Sequence, residues 1–401
     1  MRNNLTINVS PFCFVDEVWK SYSLPKEVII HDTTLREGEQ TPGVVFTPED
    51  KLTIARELEE IKIQQIESGF PAASKDEIKA IKAIVKEGLN AKIFGFARAT
   101  PQDIDAVAEC ECYGIVLSFP PSDIHLKYKL KISREEYLQR AVEAVERAKG
   151  YGLYITYSAE DSTRADLNFL KKVFKTVVEA GVDRARIVDT LGAINPIGIK
   201  YLVKEIKSVV NVPIEVHCHN DHGLGVANTL AAYEVGASVL STSINGLGER
   251  AGLAATEDVI IALHNLYNVR VFNTEKLYEV CKLVEKISKV PIAPNKPVTG
   301  NNIFVHTSGI HQHGVLESPS TYEPYPPELV GQKRKLILGK LSGRHAIEAK
   351  LQELNIKASE EEIKKITEIV KRKSEERRSA LSDADFIEIV NSILKDKLKT
   401  F

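Results

Sequence analysis

The sequence predicts an α/β protein built on a (β/α)8 barrel, followed by small α-rich C-terminal subdomains. Three observations carry this. Eight short runs rich in β-branched residues recur through the first two thirds of the chain. Amphipathic stretches rich in Lys and Glu separate them, with helical period. No G-x-G-x-x-G follows the first strand, which disfavours the competing open, doubly wound sheet with a dinucleotide site.

The elements follow in order. Strands are expected at 27–32 (EVIIHD), 62–68, 92–97, 114–119, 153–158, 184–190, 213–218 (PIEVHC) and 238–244. Helical patterns fill 48–61, 74–88, 134–152 and 196–210. Residues 1–24 read as an N-terminal extension and 25–292 as the barrel. The Pro/Gly/Asn-rich APNKPVTGNN (293–302) opens a linker and first subdomain that runs to 340. Residues 341–401 read as a second, helical subdomain whose charges lie mostly on solvated faces.

The chain has 401 residues, 43% hydrophobic, with a net charge of −2. That supports one large core and gives no basic excess for nucleic acid. No run approaches a membrane span, and MRNNLTINVSPFCF lacks the apolar stretch of a signal peptide. Cys13, Cys110, Cys112, Cys218 and Cys281 make no even framework, and C-E-C is not a zinc spacing. A cytoplasmic location is expected.

In such a barrel, chemistry collects at the C-terminal ends of the strands. Read in turn, those ends carry His31 and Asp32, then Arg36, Glu37 and Gln40; Glu67 and Ser68; Arg98; Ser158 and Glu160; Asp189 and Thr190; His217 and His219; and Asn245. Each alone suits a helix cap or turn. Together they describe one polar site. In EVHCHNDHGL, His217 and His219 are two apart and so share a face of a strand. Alone, the pair also reads as two satisfied polar residues near a sheet end. Closure of the barrel sets strand one beside strand eight, and strand seven next to that, so Asp32 is expected to converge with both histidines. One carboxylate and two imidazoles leave open positions on a divalent ion, the pattern of a catalytic metal.

The stretches HDTTLREGEQTPGV (31–44), HCHND (217–221), NGLGERAGLAATED (245–258), HTSGIHQHGVL (306–316) and LGKLSGRHAI (338–347) resemble the metal-dependent acyl-CoA condensing enzymes: isopropylmalate, homocitrate and citramalate synthases. The resemblance covers nearly the whole chain. It implies condensation of acetyl-CoA with a 2-oxo acid, followed by thioester hydrolysis. It implies a divalent metal, Zn²⁺, Mn²⁺ or Mg²⁺, on Asp32, His217 and His219. Arg36 then faces the developing alkoxide, with Gln40 beside the substrate; its bland alternative is a surface ion pair with Glu37 or Glu39. Thr190 is expected to bond the substrate carboxylate. Glu160 either manages protons or makes a supporting contact. Asn245, Gly246, Gly248, Glu249 and Arg250 are expected on the acetyl-CoA side, although Glu249 and Arg250 also read as an ion pair shaping the loop. The resemblance makes His311 the general base and Tyr325 its companion, reaching a partner's active site in a homodimer with an exchanged C-terminal segment. The regulatory domain that often ends such chains is not expected here.

Leu253 stands where Asn is usual in isopropylmalate synthases, which tilts the expectation toward 2-oxoglutarate and homocitrate. SDIHLKYKL (122–130) and ESGFPAAS (67–74) pull toward the isopropylmalate branch or a second homocitrate branch. A distal carboxylate needs a partner, and Arg98, His125 and Lys127 are the candidates. The rival readings are an acyl-CoA lyase, opposed by the lack of cysteine in GLGERAG; a non-haem iron oxygenase with the same ligands; and an inert, binding-only barrel.

Overall fold

The computed structural model describes residues 8–394; the expected N-terminal extension and C-terminal subdomain lie partly outside the described residues. The chain divides into two compact units, residues 11–292 and residues 8–10 with 293–394.

The first unit is a closed barrel of eight parallel strands in sequence order: β1 (Ile29–Asp32), β2 (Gln65–Glu67), β3 (Lys92–Arg98), β4 (Gly114–Ser118), β5 (Tyr154–Ala159), β6 (Arg184–Asp189), β7 (Ile214–Cys218) and β8 (Val239–Thr242). All eight fall on the runs read from sequence. Closure is made by β1 on β8, with Ile29 opposite Val239 and Asp32 opposite Thr242. Helices follow the strands, and local signals start them. Thr47 and Asp50 form a reciprocal capping box for Pro48–Glu60. Ser133 caps Arg134–Gly150, and Asn195 with Pro196 opens Pro196–Lys207. Their apolar stripes, such as Phe169, Leu170, Val173, Phe174 and Val177 on Leu167–Glu179, are buried.

The barrel interior departs from the usual filling of branched apolar side chains. Across it, Arg184 on β6 reaches Gln65 on β2 at 2.8 Å, and Arg186 reaches Glu67 at 3.0 Å. Glu215 on β7 lies 3.0 Å from Arg184 and 2.6 Å from Arg186. His31 contacts Gln65 at 3.0 Å and Glu67 at 3.3 Å. All six are buried. These contacts fix which parity faces inward: His31 on β1, Gln65 and Glu67 on β2, Arg184 and Arg186 on β6, Glu215 and His217 on β7.

In the second unit, Val305–His306 pairs in parallel with Lys335–Leu336. Helices Arg344–Glu353, Glu360–Arg377 and Asp383–Ile393 close a small core around Ile347, Ile366, Val370, Phe386 and Val390.

Candidate metal centre and active site

The loop after β1 is built by Asp32. Its Oδ1 accepts from Thr34 N–H at 2.9 Å and its Oδ2 from the Thr256 hydroxyl at 2.8 Å. This is a local side-chain-to-backbone turn. The chain then doubles back, with Glu37 and Gly38 N–H groups bonding Thr33 O at 2.8 and 3.2 Å, and this returns Glu37 over the barrel mouth.

There Glu37 meets the two histidines. Ligand atoms of Glu37, His217 and His219 all lie within 4.8 Å of one another. The carboxylate of the cluster is therefore Glu37, which corrects the expectation of Asp32. The reason is parity. His31 points into the barrel, so Asp32, next on the strand, points outward to the start of helix Thr256–Leu266. Glu37 is not on a strand, and the period-two argument that paired His217 with His219 did not reach it.

The imidazoles are prepared for a cation. His219 Nδ1 donates to Gly252 O at 3.1 Å, which leaves its Nε2 as a lone-pair nitrogen. His217 Nδ1 is engaged by the Ser241 hydroxyl at 2.9 Å. The two Nε2 atoms lie 3.3 Å apart, with Glu37 Oε1 3.8 Å from that of His219. Burial, then the neighbouring imidazole, holds the His217 pKa well below its ordinary value; burial also lowers that of His219. Two neutral imidazoles aimed at each other beside a carboxylate fit a divalent ion, with open positions left for substrate.

A cavity of about 290 Å³ opens at this centre. The expected residues Arg36, Gln40, Glu160, Thr190, His217, His219, Glu249 and Arg250 line it, joined by Glu37, Phe96, Ser118, Ser158, Arg186 and Val188. Arg36 is partly buried, its side chain 9% exposed, so its ion pair with Glu37 lies inside the site and not on the open surface. Its Nε bonds Glu67 Oε1 at 2.5 Å, its Nη1 bonds Glu37, and its guanidinium lies 4.7 Å over the Phe96 ring. Thr190 accepts from Asp161 N–H at 2.8 Å. Glu160 is held by Lys129 Nζ at 2.7 and 2.8 Å.

Several expected residues are not brought to the cavity. Arg98 turns away to Asp103, at 2.7 and 3.1 Å, and its side chain is 65% exposed. A carboxylate at the start of the next helix competes for it. His125 stands 3.7 Å from Glu160 and Lys127 lies over Tyr128, neither on the cavity wall. Asn245 donates to Cys281 O at 2.9 Å, behind the loop. Arg250 pairs with Asp221 at 2.8 Å and donates to Thr190 O at 2.6 Å; its carboxylate partner is Asp221 and not Glu249. A Cβ on Gly252 would sit 1.8 Å from Gly246 O, and one on Gly248 would meet Leu253 at 2.8 Å. These glycines, with Gly246, let the loop pack on itself.

In the second unit, His311 is exposed on helix Gly309–Glu317. The aromatic partner on its ring is Tyr322, stacked at 4.0 Å. Tyr325 is buried, edge-on to Phe304 at 5.8 Å. The ring on His311 is thus that of Tyr322, three residues before the Tyr325 expected as its companion.

The comparisons with known proteins bear on the family and the fold. Residues 27–284 match the HMGL-like family and residues 298–378 the homocitrate synthase post-HMGL domain-like family. The chain is 47% identical to homocitrate synthase AksA of Methanopyrus kandleri, covering 96% of this chain and 97% of that one. It is 49% identical to a probable 2-isopropylmalate synthase of Ignicoccus hospitalis, with 94% of each chain covered. With (R)-citramalate synthase CimA of Methanocaldococcus jannaschii the identity is 46%, over 93% of this chain and 77% of that one. The solved HMG-CoA lyase of Bacillus subtilis shares the fold, with a TM-score of 0.61 at 22% identity over 67% of this chain and 96% of that one. The chain belongs to the HMGL-like family, on the side of it that holds the homocitrate, 2-isopropylmalate and citramalate synthases.

Proposed function

We propose that the protein condenses acetyl-CoA with 2-oxoglutarate and that water then hydrolyses the thioester of the product, giving homocitrate and CoA. The observation that carries the choice of 2-oxo acid is the floor of the cavity. Ser118, Ser158 and Arg186 are laterally adjacent on β4, β5 and β6. All three line the cavity, and the Nε–H of Arg186 has no partner among the described residues. A buried donor beside two hydroxyls suits a second carboxylate, because an unpaired charge there is costly. This replaces Arg98 and His125 as the distal-carboxylate partners.

The residues divide the work. Glu37, His217 and His219 would hold a divalent ion, whose chemistry is to polarise the keto oxygen as a Lewis acid. Arg36 meets the negative charge that grows on that oxygen. The Thr190 hydroxyl orients the proximal carboxylate. His311 takes the proton from the acetyl methyl, with Tyr322 on its ring, and Glu160 returns one to the product side. The proposal includes a homodimer in which His311 comes from the second copy. Mixing Arg36→Ala with His311→Ala subunits, each inactive, then restores activity. It also includes a cytoplasmic location, a reducing compartment that suits five cysteines with no disulfide among them.

The test is CoA release from acetyl-CoA with 2-oxoglutarate, 2-oxoisovalerate or pyruvate in the presence of Mn²⁺. Turnover with 2-oxoglutarate, and a KM raised about tenfold by Ser158→Ala, is the expected result. The second reading is a branched, apolar 2-oxo acid, favoured by Phe96 and Val188 on the same walls. Preference for 2-oxoisovalerate would select it and reject the first.

A further inference from the structure

Thr190 can serve a carboxylate only if its hydroxyl has a proton to give. A hydroxyl carries one proton and two lone pairs. The Thr190 oxygen accepts from the backbone N–H of Asp161 at 2.8 Å, and the hydroxyl donates to no described residue. Its proton is therefore kept for an oxygen in the cavity that Thr190 lines. This depends on the backbone at 161. Asp161 has φ +62° and ψ +30°, in the left-handed region where a residue with a side chain is strained. At an ordinary negative φ the peptide joining Glu160 to Asp161 would be turned over. The Glu160 carbonyl would then face Thr190 and take its proton. Lys62, Lys131, Lys289 and Arg378 also have positive φ, but they are exposed and end or follow helices, where this is common. Asp161 is completely buried. Its Oδ2 accepts from the Ser122 hydroxyl at 2.6 Å, and its two oxygens accept from Arg164 at 2.8 and 2.9 Å. A strained conformer persists only where its surroundings over-determine it. Three bonds, from the loop after β4 and from the turn Ser162–Arg164, do so here.

We propose that Asp161 is a positioning residue for the Thr190 hydroxyl. Its anchored side chain holds the peptide before it in the strained orientation. The N–H presented to the Thr190 oxygen makes that hydroxyl a donor toward the substrate carboxylate. Asp161 touches no substrate atom in this scheme. Its neighbour Glu160 is held separately, by Lys129 at 2.7 and 2.8 Å. The work of the two residues can therefore be told apart: substrate binding depends on Asp161 and proton return on Glu160.

The inference rests on the condensation reading for its kinetic test and carries a binding test that does not need turnover. The variants are Asp161→Ala, Asp161→Gly, Thr190→Val and the two double variants. Glycine takes either sign of φ, so Asp161→Gly frees the peptide without straining it and remains informative if Asp161→Ala does not fold. The first readout is calorimetric binding of oxalate, a planar dianion, to the Mn²⁺-loaded protein. Each Asp161 variant, and Thr190→Val, is expected to weaken it by about tenfold. In the Thr190→Val background the Asp161 substitutions are expected to add nothing. The second readout is KM against kcat. KM for 2-oxoglutarate is expected to rise by about tenfold, with kcat changed by less than about threefold. A loss of oxalate affinity that is the same with and without the Thr190 hydroxyl makes Asp161 merely structural and overturns the proposal. Parental affinity in both Asp161 variants overturns it too, as does a fall in kcat with KM unmoved. Coupled oxalate binding without turnover by the wild type would reject the condensation reading and leave Asp161 in its role.

Discussion

Replacing Asp32 with asparagine separates by their work the carboxylate that ends β1 and the Glu37 carboxylate in the loop after it. Asp32 is completely buried, and burial, offset in part by bonds from Thr34 and Thr256, raises its pKa from 3.8 to about 6. That rise corresponds to about 3 kcal/mol disfavouring the charged form in the fold. The sign follows from linkage. Between about pH 4 and 6 the folded chain holds a proton that the unfolded chain has released, so this group's contribution to stability falls as pH rises through the folded pKa and stays low above it. An asparagine side chain has no charge to bury. It keeps the bond from Thr34 N–H, while the Thr256 hydroxyl has to turn over, at a cost of about 1 kcal/mol. Asp32→Asn is therefore expected to be about 2 kcal/mol more stable than the parent at pH 8 and to lose that advantage near pH 4. Urea denaturation at the two pH values measures it. The same variant is titrated with Mn²⁺, and its affinity is expected to match the parent's. Loss of metal binding would refute the assignment of Glu37 over Asp32. A stability difference independent of pH would refute the burial argument.

The other expectations are shorter. Glu37→Gln should weaken Mn²⁺ binding by at least about 100-fold, read by calorimetry on folded protein. Gly252→Ala, at φ +72° and 1.8 Å from Gly246 O, should cost about 3 kcal/mol, seen as a lower urea midpoint. Arg98→Ala should leave KM for 2-oxoglutarate unchanged, because its partner is Asp103. Tyr322→Phe should slow turnover at least about tenfold, whereas Tyr325→Phe should act on stability alone.

The barrel was legible because strand and helix periods differ; the caps at Thr47 and Ser133 are seen in the structure. The histidine pair was legible for the same reason: two apart on a strand means one face. Asp32 was misplaced because His31 and Asp32 are both polar, and only the contacts of His31 inside the barrel show which of them turns out. Glu37 lay one residue beyond Arg36, in a loop whose course no periodicity describes. Arg98 was drawn to the site by its strand end and removed from it by Asp103, a local pairing five residues away that a charge census overlooks. Ser118, Ser158 and Arg186 were invisible as a group, since their meeting depends on the register of three strands. Tyr322 and Tyr325 could be told apart only by which ring packs inward.

The ionic column inside the barrel has a thermal consequence. The penalty for stripping water from charges falls on heating, because ion hydration loses favour as temperature rises, while apolar burial gains little further. Arg184, Arg186, Glu67 and Glu215 therefore bind one another more favourably, net of dehydration, in a hot solution than in a cool one. Heating should therefore weaken this centre less than it would an apolar filling of the same barrel.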